Sequence, residues 1–257
     1  MEDVAGPALA AIRAAFGTST GLPGLASDLV VTDPDGWVPA STLADDPAGL
    51  LAAGQRRWSA PPHVSAALVW KSYSYWLALP VAFGWVAARR VPHVTAAEVL
   101  VRFDAPRTSA RLGLHPGTPV SVLPSDPLAA SGNPAISVVP DEAALLGTLR
   151  RVLLDEHVDP LLAAVQRSVR LSRRLLLGSL AANIAHGARH AAGAVGASAP
   201  EAIATLIAAL DLGALVEWTP GAAGRVAVHR QTCCLAFTLP EPRFCSDCCY
   251  RPPQPGA

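Results

Sequence analysis

All five cysteines of this chain fall in its final 25 residues, as Cys233-Cys234, ten intervening residues, Cys245, two residues, Cys248, and Cys249 directly after. The first 232 residues must therefore fold without a disulfide, and only the last stretch is constrained to gather thiols. Four thiolates within sixteen residues can surround one soft metal centre, and thiolates are the ligands that zinc and iron–sulfur sites select. An all-disulfide reading leaves one cysteine over, because five is odd.

Composition removes several alternatives. The chain of 257 residues suits one large domain or two small ones, and 51% of its residues are hydrophobic. A sizeable core needs no metal to hold it together. The formal net charge is zero, with no Lys/Arg-rich run, so the basic footprint of nucleic-acid binding is missing. The start, Met1-Glu2-Asp3-Val4, lacks the apolar run of a signal peptide. The most apolar segment, Tyr75 to Ala88, is interrupted by Pro80 and Gly84 and falls short of the roughly 20 residues of a membrane span. No transmembrane segment is expected, peripheral membrane association aside. A cytoplasmic protein is expected, and there thiols stay reduced and clustered cysteines favour metal.

Periodicity predicts an α+β fold, mostly helical, with a small antiparallel sheet and a C-terminal cysteine-rich segment. Helices are expected over Pro7–Phe16, from Asp46-Pro47 to about Arg57, and over Val64–Arg90, kinked or split at Pro80. Further helices are expected from Pro140-Asp141 to about Glu156, from Asp159-Pro160 to about Arg170, over Ser172–Ala192, and from Pro200 to near Asp211. Alternation over 98–103, 109–114 and 119–123 reads as short strands, as do Ala214–Trp218 and Arg225–Arg230. Residues 17–40 and 124–135 read as loops. Two units are expected, 1–230 and a metal-binding segment with a Pro-rich tail over 231–257.

Cys245 and Cys248 form a Cys-x-x-Cys knuckle, whose turn converges two sulfurs. Cys233 and Cys234 are adjacent, and adjacent side chains in extended backbone point to opposite faces. A structural zinc site ordinarily uses two spaced knuckles and fits this pair poorly. A two-iron cluster is wider and can be reached from two directions.

The pattern Cys-Cys-x10-Cys-x2-Cys, with Arg230-x-x-Cys-Cys-Leu235 and Cys245-Ser246-Asp247-Cys248 around it, resembles the C-terminal motif of the FhuF-like ferric-siderophore reductases. The close match covers about 20 residues. Lys71-Ser72-Tyr73 and the stretch Arg174 to Asn183 resemble the family loosely. The resemblance implies a 2Fe–2S cluster on Cys233, Cys234, Cys245 and Cys248, with a siderophore pocket in the larger unit. It also implies one-electron reduction of an Fe(III)-siderophore, of hydroxamate type. Cys249 stands where family members often have Pro. No flavin or nicotinamide fingerprint is visible, so the implied reductase needs an external electron donor, a ferredoxin or a flavin reductase.

Around that motif, Arg230, His229, Lys71 and Arg174 are candidates for contact with the cluster or the substrate. Trp70 to Trp76 either lines a pocket for a bulky chelate or packs into the core. Arg167, Arg170, Arg173, Arg174 and Arg189 either face an anionic partner or lie on solvated faces. His186 and His190 have the i, i+4 spacing of metal ligands, but with no carboxylate beside them they read as a solvated helix face. Two other functions suit the same cysteines: an electron carrier or sensor with no substrate of its own, and a structural zinc protein used for interaction.

Overall fold

The computed structural model describes residues 6–16, 22–103, 109–221 and 226–250. The fold is α+β. Helix α1 (Gly6–Phe16) is followed by strands β1 (Leu25–Val30) and β2 (Val38–Pro39) and by helices α2 (Ser41–Asp45) and α3 (Ala48–Trp58). Helix α4 (Pro62–Ala88) then crosses the molecule. Pro62 occupies its first turn, where no intrahelical N–H is lost, and Arg89 closes it in the left-handed region at φ 52°. The helix is apolar all round and buried on most sides, as befits an element enclosed by others. It runs without interruption through Pro80, so the expected split does not occur.

After α4 come β3 (Val91–Pro92), β4 (Val99–Arg102), β5 (Arg111–Leu114), β6 (Val120–Val122) and β7 (Ile136–Val138). The expected single antiparallel sheet is instead two small mixed sheets. One has the order β1-β5-β4-β2, with β1 parallel to β5; the other has the order β3-β6-β7, with β6 parallel to β7. The three alternating stretches between 98 and 123 are strands as expected. Their partners β1 and β7 fall in or beside segments read as loops. Strand β1, Leu25-Ala26-Ser27-Asp28-Leu29-Val30, does not alternate, and the three residues of β7 are too few for their alternation to stand out.

Helix α5 (Glu142–Arg150) begins at Asp141, whose carboxylate accepts from the Ala144 N–H at 2.8 Å. It passes through a π-helical stretch, Arg151–Val158, directly into α6 (Asp159–Ser168). A break was expected before Pro160. That proline has no N–H to offer the Glu156 carbonyl four residues back, and the Ala96 N–H takes the bond instead at 3.0 Å. Helix α7 (Arg173–Val195) is capped by Ser172, and α8 (Ala199–Ala209) by Ser198 with Pro200 in the first turn. The hairpin β8 (Val216–Pro220) and β9 (Val226–Arg230) follows; Arg225, the expected strand start, lies outside the described residues.

Helices α4 and α7 pack along one another at the centre, close enough that a Cβ on Gly187 would sit 3.1 Å from Ala82. Beyond β9, the cysteine segment closes a second apolar cluster, in which Cys234, Ala236 and Leu239 meet Ala60, Val64 and Leu68. The segment is thus seated on the first half of α4. Among the described residues no helix is long and apolar enough to cross a membrane.

Candidate metal centre

The cysteine segment folds back on itself. The Arg230 N–H donates to the Asp247 carbonyl at 2.9 Å, and the Arg243 N–H to the Ala236 carbonyl at 3.1 Å. This return brings Cys234 opposite Cys245 and Cys233 opposite Cys249. A tight bend follows the pair at once: Leu235 adopts φ 65°, and its N–H reaches back to Cys233 Sγ at 3.3 Å. The knuckle closes through the Cys248 N–H on the Cys245 carbonyl at 3.1 Å. Cys234 is buried, Cys233, Cys245 and Cys248 are half-buried, and Cys249 is exposed.

The sulfurs meet across the two strands of this return. Cys234 Sγ lies 3.4 Å from Cys245 Sγ, and Cys249 is hydrogen-bonded to Cys233. Burial, followed by the neighbouring Cys233 and Cys248 sulfurs, raises the Cys249 thiol above its ordinary range. Among the described residues, no group of three or more His, Cys, Asp or Glu side chains is already gathered as a metal ion would need.

Two cations face these thiols. Lys71, the only lysine, projects from α4 and places Nζ 2.8 Å from Cys245 Sγ. The hydrogen bond from Cys245 lowers Cys234 to about 6; burial opposes the shift, and Lys71, the Ala236 N–H and Arg230 assist it. The pair therefore sheds its first proton more readily than an ordinary thiol and shares the resulting charge. Arg230 is 2% exposed. Its Nη2 donates to Ser179 Oγ at 2.6 Å and its Nε stands 3.9 Å from Asp247 Oδ2, while Nε and Nη1 have no hydrogen-bond partner. Beside the Asp247 carboxylate, this buried guanidinium still has idle donors, which a further anion can take up. A cluster ligated by thiolates carries net negative charge, so the residues present fit one.

Helix α7 braces this arrangement. Ser179, Asn183 and His186 fall at helical spacing on one of its faces. Asn183 Nδ2 donates to the Lys71 carbonyl at 3.0 Å and to Ser74 Oγ at 2.9 Å, fixing the turn that carries Lys71. His186 Nε2 meets Asp247 Oδ2 at 3.3 Å. Burial opposes ionisation of Asp247, but the His186 hydrogen bond and the Arg230, Lys71 and His186 charges outweigh it and hold the carboxyl at about 2. Gly178 makes the approach feasible, because a Cβ there would lie 1.9 Å from Thr232 Oγ1, next to the first cysteine.

The structure thus brings Lys71 and Arg230 to the cysteines and leaves other candidates elsewhere. His229 sits beside Arg230 on β9, facing the other side of the strand, opposite Glu217. Arg174 donates to the Ala214 carbonyl at 3.2 Å. The arginine series is dispersed: Arg167 bonds the Ala44 carbonyl, Arg173 pairs with Asp159, and Arg189 bonds the Val226 carbonyl. Within Trp70–Trp76, Trp70 and Tyr73 are core residues. Trp70 Nε1 donates to the Leu176 carbonyl, and Tyr73 meets His157 at 2.6 Å. The reading of His186 and His190 as a solvated face is corrected. His186 joins the Asp247 network, and His190 packs on the Phe16 ring at 4.8 Å between centroids. The carboxylate that His186 lacked in sequence is Asp247, in the knuckle itself. Sequence reasoning placed Ser179 and Asn183 only inside the loosely matched stretch Arg174 to Asn183 and singled out neither as a support.

A cavity of about 430 Å³ lies at the far end of α4, lined by Leu9, Leu29, Gly84, Leu114 and Thr118 among others. Lys71 and Gly84 are thirteen residues apart on one helix, or roughly 20 Å at 1.5 Å per residue. This cavity does not adjoin the cysteines.

Comparison with protein-family models, with curated proteins and with solved structures returns no match to this chain.

Proposed function

We propose that Cys233, Cys234, Cys245 and Cys248 hold a 2Fe–2S cluster, and that the protein is a reductase of Fe(III) bound to a hydroxamate-type siderophore. The observation that carries this reading is the pair of cations, Lys71 and buried Arg230, set against the paired thiols, with guanidinium donors left idle. Such a cluster supplies one electron at a time, enough to convert tightly chelated Fe(III) to Fe(II), which hard oxygen donors hold far more weakly. Lys71 Nζ donates to Cys245 Sγ and so favours added negative charge there. Arg230 contributes a second positive charge, kept in place by Ser179 and Asp247. Gly178, Asn183 and His186 hold the segment and Lys71 in register. The reading places the protein in the cytoplasm, where thiols stay reduced, and requires an external one-electron donor.

The test is the visible absorption and EPR spectrum of anaerobically purified protein, before and after dithionite, followed by a ferric hydroxamate. A 2Fe–2S signal that appears on reduction and is lost on adding the chelate supports the reductase. A cluster that the chelate leaves reduced points to a carrier or sensor. A colourless protein holding one zinc ion overturns both. Cys248→Ser should abolish the visible absorption; retained absorption assigns Cys249 as a ligand.

A further inference from the structure

The described residues expose six large apolar side chains. Val38, Val138 and Val195 stand singly on different elements. The other three belong to the cysteine segment: Phe237, Phe244 and Tyr250, exposed by 37, 49 and 53%. Their rings form one patch, with Tyr250 stacked 5.6 Å from Phe237 and 6.2 Å from Phe244 between centroids. A contiguous aromatic patch in water marks a contact surface, whereas single exposed apolar residues need no explanation. Phe244 immediately precedes Cys245, and Tyr250 immediately follows Cys249. The patch therefore lies one residue from sulfur at two places.

The charges beside it are basic. Exposed Arg243 adjoins Phe244, and its N–H is bonded to the Ala236 carbonyl at the base of the patch. At the end of α3, the Arg57 guanidinium lies 5.8 Å from the centre of the Trp58 ring. That ring packs on the apolar cluster containing Cys234 and Ala236. Arg56 is exposed next to Arg57, and α3 carries no acid. Within 231–250 the only exposed acid is Glu241, since Asp247 is buried.

Resting on the reductase reading, we propose that this aromatic face with its arginine rim is where an acidic electron-donor protein docks. The aromatics supply the desolvated contact, and the arginines steer a partner whose own redox centre is ringed by carboxylates. One electron passes from the donor's reduced centre, which is oxidised by one, to the cluster, which is reduced by one; no bond or proton need move.

The test uses full-length holoprotein and follows bleaching of the visible absorption in a stopped-flow instrument. The reductants are a reduced acidic 2Fe–2S ferredoxin and, separately, dithionite. Phe244→Ala/Tyr250→Ala should slow reduction by the ferredoxin on the order of tenfold, the loss of one interface anchor, with the dithionite rate unchanged. Arg57→Glu/Arg243→Glu should do the same, and the wild-type ferredoxin rate should fall as salt rises. Val195→Ala should change neither rate. Ferredoxin rates within twofold of wild type in both double variants overturn the proposal. So does an unchanged ferredoxin rate with a raised KM for ferric hydroxamate, which gives the face to the substrate. The starting spectrum separates the two levels: absent 2Fe–2S absorption removes the reductase reading itself, whereas normal absorption with unaltered rates removes only the docking face.

Discussion

Lys71 is the residue on which the electrostatics of the proposed centre turn, because its ammonium meets the Cys245 sulfur directly at 2.8 Å. Removing it leaves the thiols in place and withdraws one positive charge. Lys71→Met should keep the visible spectrum and lower the reduction potential by on the order of 50–100 mV, one or two powers of ten for a one-electron couple. Lys71→Arg should recover most of that shift, and a potentiometric titration followed by EPR reads both. A second residue makes a different, acid-sensitive prediction. His157 Nδ1 lies 2.7 Å from the Val94 carbonyl, which can only accept, so Nδ1 carries a proton, and in the neutral ring that burial favours Nε2 accepts from the Tyr73 hydroxyl. Burial pushes His157 down to about 4, against hydrogen bonds to Val94 and Thr95 that pull the other way. Between that value and the unfolded pKa near 6.5, the unfolded chain binds the extra proton. Stability should therefore fall as pH is lowered through this window, with about 3 kcal/mol of the fall from His157, in urea titrations at stepped pH. His157→Gln should remove its own share of that dependence; His190, lowered to about 4, and His93, also lowered, both chiefly by burial, keep the rest of the slope.

Among the elements, α7 and the strand leading out of β9 are the tightest pair at the site. Gly178→Ala drives a methyl to within 1.9 Å of Thr232 Oγ1 and 2.8 Å of Thr232 Cβ, so rotating the hydroxyl does not relieve it. The expected cost is about 1–3 kcal/mol in urea unfolding, with lower cluster content per chain by iron assay. Gly178→Ala/Thr232→Gly should restore the content. The helices themselves were legible, because Ser172, Ser198 and Pro200 mark starts by local chemistry. Strands β1 and β7 were not, since their parallel partners lie elsewhere in the chain. The same distinction runs through the site. The cysteines and Arg230 announce themselves by spacing. Ser179, Asn183 and His186 matter only because α7 packs on α4 and on the return of the cysteine segment, and nothing near them in sequence encodes that.

At the scale of the molecule, one large apolar core built around α4 and α7 is complete without the cysteine segment, which adds only a small cluster on Ala60, Val64 and Leu68. Stripping iron with a chelator under anaerobic conditions should therefore abolish the visible absorption and leave the far-ultraviolet helical signal within about a tenth of its starting value, in contrast to small domains that unfold without their metal. The fold has a direction in time as well as in space. Lys71, Ser179, Asn183, His186 and Arg230 all precede Cys233 in the chain, and only Asp247 comes among the cysteines. A ribosome makes the seat before it makes the thiols, and the N-terminal part begins folding first. When the cysteines emerge, the positive charges that face them are already synthesised, so under the proposed reading a nascent chain offers iron no thiol until the part that would restrain the metal has been made.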